Sequence, residues 1–175
     1  MDPAEYLAFV PLLFYGIALA DLLGQWRRFF DKDYFYLPYF LTTIIFTEVA
    51  VWNVYRYLEV VSHLEDVRYA QYWLYLVQPI LFLLTVSALT PEFETQDTEC
   101  YFKERFSLVY GLVAIFVASH FLSGFGSMIP LTYMTYTRIV IIALSVVIAL
   151  TKRIWLIYVT TVVWFVSLLL RMMYS

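Results

Sequence analysis

Glu48 is the residue with the strongest claim to chemistry. It falls near the centre of an apolar run. An ionised side chain at that depth of a membrane costs about 2.5–3.5 kcal/mol on insertion scales and is usually turned towards the protein interior. Trp52, Tyr55 and Arg56 follow at i+4, i+7 and i+8, so all four share one helix face. Ile44 and Leu41 continue that face in the other direction with apolar groups. The stripe is polar in one half only, and this pattern predicts a cavity that opens on the Arg56 side and ends at Glu48. A later segment repeats the theme with Thr160, Trp164, Ser167 and Arg171, again towards one end. Arg138 and His120 fall in the same half of their own segments, and Gln78 precedes Pro79 in mid-segment. Two readings follow. In one, Glu48, Arg138, Arg56, His120, Trp52 and Gln78 form a site for an ion or small solute, with Glu48 as a protonatable or cation-binding group. In the other, Glu48 and Arg138 form an ion pair that fixes packing, while Arg56 and Arg171 snorkel to lipid headgroups.

The elements that must carry these residues are membrane helices. The chain has 175 residues, of which 63% are hydrophobic and 14% charged. Ordinary soluble domains carry about 25% charged residues. A soluble fold of this size could not hide so much apolar surface, whereas lipid can cover it. Apolar segments fall at about 4–25, 35–57, 69–90, 106–122, 131–150 and 154–173, each near the ~20 residues that span a bilayer core. The expected fold is all-α: one polytopic membrane bundle of about six helices. A five-span alternative would leave 131–173 irregular. The chain carries 16 Tyr and 5 Trp. Runs such as Tyr34-Phe35-Tyr36, Tyr69 to Tyr75, and Tyr133 with Tyr136 sit at expected helix ends, where headgroups suit amphipathic rings. The first apolar segment lacks a basic leader and is expected to be a retained helix.

Arg27, Arg28 and Lys32, then Lys103 and Arg105, then Lys152 and Arg153 fill alternate connections. Positive charge stays in the cytoplasm, so both termini are expected outside. The polar half of the bundle then faces outward, and its excess of arginine leans towards an anionic ligand or outer-leaflet headgroups. Asp21 shares a face with Gln25 and Arg28, which suits local pairing near the inner interface. Gly16, Ala20 and Gly24 place a small residue at every fourth position, a stripe that lets another helix approach closely, within or between protomers.

The longest connection starts at Pro91 and carries Glu92, Glu94, Asp97, Glu99 and Glu104, with Tyr101-Phe102-Lys103-Glu104-Arg105-Phe106 leading into a helix. Its spacing is not that of a calcium loop. This stretch resembles a loop of small uncharacterised bacterial multi-pass inner-membrane proteins. The resemblance implies a bacterial inner-membrane location and carries no activity.

Other chemistries find no support. Cys100 is the single cysteine, so no internal disulfide forms. His63 and His120 are too few for a di-haem protein, and Lys32, Lys103 and Lys152 lie at the inner boundary, away from any buried Schiff-base position. Ser119 and His120 are adjacent on a helix and point apart. Ser123-Gly124-Phe125-Gly126 reads as a tight external turn, not an ion filter. No phosphate-binding or nucleic-acid motif occurs. The expectation is a non-enzymatic membrane channel or transporter for an ion or small solute, without cofactor or metal, possibly a homo-oligomer. The alternative is a non-transporting subunit or scaffold of a larger membrane complex.

Overall fold

A computed structural model describes residues 3–61, 69–91, 97–122 and 133–174. Its elements are α1 (Pro3–Gln25) with a 3-10 turn at Trp26–Phe29, α2 (Leu37–Val61), α3 (Tyr69–Leu89), α4 (Thr98–Ser119), α5 (Tyr133–Thr151) and α6 (Trp155–Tyr174). No strand occurs among the described residues. Within 131–173 the chain forms two regular helices, so the irregular structure expected there in the five-span alternative is not found.

The helices close into a ring. α1 packs between α2 and α3, α4 packs between α3 and α5, and α6 bridges α5 back to α2. The two seams of α6 are the thinnest. Successive helices alternate in direction, as cross-chain bonds show. Arg28 Nη1 donates to Thr98 Oγ1 at 3.4 Å. The Tyr101 hydroxyl lies 3.1 Å from the carbonyls of both Ala88 and Thr90, and Ser107 Oγ donates to Ala149 O at 2.8 Å. These contacts gather the ends of α1, α3 and α5 with the starts of α2, α4 and α6. Arg27, Arg28, Lys32, Lys103, Arg105, Lys152 and Arg153 therefore all lie at one end, here called the basic end.

Five of the six helices are long and apolar enough to cross a membrane, with mean hydropathy of 1.3 to 1.9. The outer faces of α5 and α6 present Ile139, Val146, Leu150, Val162, Phe165 and Leu169, all exposed. An exposed apolar face of that extent is rare on a soluble monomer, and lipid is the solvent that suits it. α4 is the exception, for two reasons. It starts eight residues before the segment expected at 106, because Asp97 caps it by accepting from the Glu99 amide at 2.9 Å and Glu99 pairs with Lys103 one turn on. Its apolar part is also held by protein: Phe106, Val109, Tyr110, Val113, Phe116 and Val117 are buried. With that face buried against α3 and α5, only a narrower face with Leu108 and Ile115 is left exposed, so α4 needs less uniform apolarity than a helix that faces lipid broadly.

On α1, the buried residues are Pro11, Tyr15, Ala18 and Leu22 at i, i+4, i+7 and i+11. The small-residue stripe lies elsewhere. Gly16, Ala20 and Gly24 are exposed, and a Cβ added at Gly16 or Gly24 would meet nothing within 4 Å. Packing of that stripe within the chain is thus corrected: the face it would need is occupied by the larger Tyr15 and Leu22.

Candidate functional site

The ring encloses a cavity of about 280 Å³. One half of it lies away from the basic end. α2 supplies Trp52, Asn53 and Arg56; α3 supplies Tyr75 and Gln78; α5 supplies Thr137 and Arg138. α6 adds Thr160, Trp164, Ser167 and Arg171, the stripe read from helical spacing, and His120 follows the last turn of α4. Helical periodicity brings the whole α6 stripe to this interior, but on α2 only Trp52 and Arg56 of the expected stripe line it; Tyr55 is exposed and turned away. Deeper in, the walls mix apolar groups, Phe46, Val113, Ile141 and Ile157, with the threonines Thr42, Thr160 and Thr161.

The cavity does not end at the level of Glu48. It continues to Thr42 and Tyr110, whose hydroxyls lie 3.2 Å apart. Thr42 donates its own proton to Pro38 O at 2.8 Å, so Tyr110 donates to Thr42. From Thr42 to Arg56 the lining follows α2 for roughly 21 Å at 1.5 Å per residue, about two thirds of a bilayer core of about 30 Å. Below Tyr110 an aromatic plug closes the way to the basic end. Phe106 stands 5.1 Å from Tyr110 and 5.4 Å from Phe102, which contacts Tyr39 at 5.8 Å between ring centroids. Tyr39, Phe102 and Phe106 are at most 1% exposed.

Glu48 is not among the lining residues. Both its oxygens are engaged: Trp164 Nε1 donates to Oε2 at 3.1 Å and Arg171 Nη1 to Oε1 at 3.2 Å. The expected Glu48–Arg138 pair is therefore corrected to Glu48–Arg171. Arg171 does not snorkel either. It is only 9% exposed, and its guanidinium carbon lies 4.1 Å from the centroid of Trp52 and 5.8 Å from that of Trp164. One carboxylate and two indole faces offset its charge. Its Nε, though, is buried without a hydrogen-bond partner.

Arg138 is half-buried on the same wall. The charged groups acting on it are Arg171 and Arg56, both of its own sign. No carboxylate pairs with it among the described residues. His120 has Nδ1 at 3.0 Å from Phe116 O and its ring edge-on to Phe116 at 4.9 Å. Gln78 Nε2 donates to Ser119 O at 3.4 Å, satisfying a carbonyl that the end of α4 leaves without a helical partner. Arg171 is thus paired with Glu48, Arg56 is exposed, and Arg138 has no carboxylate partner among the described residues.

Several lining residues went unread in the sequence. Tyr75 was expected in an interfacial belt but faces the cavity; its spacing of i+3 to Gln78 was the available signal. Thr42, Asn53 and Tyr110 carried no signal beyond being polar groups inside apolar runs. His63, Arg68, Glu92, Glu94 and Ser123-Gly124-Phe125-Gly126 lie outside the described residues.

Fold and surface together define a polytopic helical membrane protein. No family model, curated protein or solved structure matches this chain.

Proposed function

We propose that this protein moves a small anionic solute across the membrane through the cavity, as a channel or a transporter. The observation that carries the reading is Arg138: it lines the cavity half-buried, no carboxylate pairs with it among the described residues, and the adjoining Glu48 is already engaged by Arg171 and Trp164. Positive charge inside a membrane is costly and is offset by a counter-charge or water. An anion entering past Arg56 would gain the field of Arg138. It would then meet the lower walls and leave at the basic end when the plug of Tyr39, Phe102 and Phe106 parts. By the distribution of basic loops, entry is on the outer face of a plasma membrane, with both termini outside. The loop resemblance supports a bacterial inner membrane. A cation-binding role for Glu48 loses support, since both its oxygens accept from neighbours.

The test is flux from proteoliposomes of the purified protein, scored for anions against cations. Wild type should pass anions selectively, and Arg138→Gln should abolish flux while melting no lower than wild type, because it removes a like-charge neighbour. Cation-selective flux would overturn the assignment of sign.

The second reading, a subunit of a larger membrane complex, draws on the outward-facing Gly16, Ala20 and Gly24. Replacing Gly16 and Gly24 with Leu should leave the chain folded, since both positions are open, and should dissolve any assembly that uses this face. An assembly of unchanged size in the variant removes that reading.

A further inference from the structure

We infer that the ligand of this cavity is an organic anion with an apolar body: a carboxylate or similar oxyanion at Arg138 and Arg171, joined to a hydrocarbon or aromatic group lying towards Phe46, Phe116 and Ile157. The inference rests on the anion reading above and goes beyond it by naming the class of solute.

Two observations carry it. The first is volume. About 280 Å³ falls near the lower edge of the roughly 300–1,000 Å³ typical of small-molecule sites. That is far more room than a bare inorganic anion fills and too little for a two-chain lipid. The second is the division of the walls. The guanidiniums stand in the half that carries Trp52 and Trp164, whereas Phe46, Val113, Ile141 and Ile157 line the deeper part together with Thr42, Thr160 and Thr161, whose hydroxyls are bonded to carbonyls of their own helices. An inorganic ion held at the arginines would leave that deeper surface to water, which gains little there. An apolar body covers it and is stabilised in proportion to the area removed from water.

The head and body make separable demands. The head requires negative charge; an alcohol or an amine with the same body does not meet it. The body requires apolar length, up to the Thr42–Tyr110 hydroxyl pair that forms the floor.

The experiment is a binding series on the whole protein in nanodiscs of zwitterionic lipid, read by quenching of tryptophan fluorescence. The probes are acetate, butanoate, hexanoate and octanoate, with octanol and octylammonium as controls. Affinity should rise about fourfold per added methylene until the cavity is full, and the two controls should bind at least tenfold more weakly than octanoate. Arg138→Gln should lose at least tenfold for every acid, with the same dependence on chain length. Acetate binding as tightly as octanoate would overturn the apolar body and leave the anion site standing. Octanol or octylammonium binding as tightly as octanoate would overturn the head, and the anion reading with it. The wild-type series decides both points even if the variant does not fold.

Discussion

At the residue scale, the central pair is Glu48 with Arg171. Removing one partner of a buried ion pair leaves the other charge uncompensated. Glu48 is about a quarter exposed, so the cost falls below the fully buried case, to about 2 kcal/mol. Glu48→Gln should lower the melting temperature by several degrees, and adding Arg171→Met should recover most of the loss. An unchanged melting temperature in the single variant would show that the pair contributes nothing. The helical spacing placed Glu48, Trp52 and Arg56 on one stripe and Thr160, Trp164, Ser167 and Arg171 on another, because face membership follows from a period of 3.6 residues. Which arginine meets Glu48 does not follow from that period. It depends on α6 lying beside α2 in the ring, and the sequence carries no record of neighbours. The expectation that Arg171 reaches headgroups failed for the same reason: the partners that hold it inside, Glu48 and Trp52, belong to a helix more than a hundred positions away.

At the scale of elements, α4 is the unusual helix. Its charged start, capped by Asp97, stands at the basic end, and its apolar part packs between α3 and α5. Hydropathy located this helix but misplaced its start, since charged residues in its first turns ended the apolar run before the helix itself ended. Phe106 on α4 is the centre of the plug. Its truncation should both loosen packing and open the lower end. Phe106→Ala should cost about 3 kcal/mol and make proteoliposomes leak solute in both directions. Phe106→Leu, which keeps most of the volume, should retain the seal. Equal sealing by all three proteins would mean that the plug is not the closed gate.

At the scale of the molecule, orientation rests on where the cations lie. Cys100 reports on it directly, being exposed at the basic end as the single cysteine of the chain. A membrane-impermeant maleimide should label inverted vesicles and spare right-side-out ones; the opposite result would reverse the proposed topology. The labelling rate carries a second prediction. Glu104 beside Cys100, with Oε1 3.7 Å from the sulfur, holds the thiol above its ordinary range, chiefly by its charge. Less thiolate is then present at neutral pH, so Glu104→Gln should label faster. A helical membrane bundle was legible from composition alone, because 14% charged residues cannot clothe a soluble surface. The ring and its cavity were not, since they arise from how six helices are arranged around one another.

The most direct test of the proposed path places one thiol inside it. Thr137 lines the cavity one residue from Arg138, and Thr137→Cys combined with Cys100→Ser gives a single reactive position there. Anion flux through this protein is measured before and after a membrane-impermeant thiol reagent is added on the face away from the basic end. The account predicts complete labelling from that face and loss of flux in step with it. Full labelling with flux unchanged would contradict it.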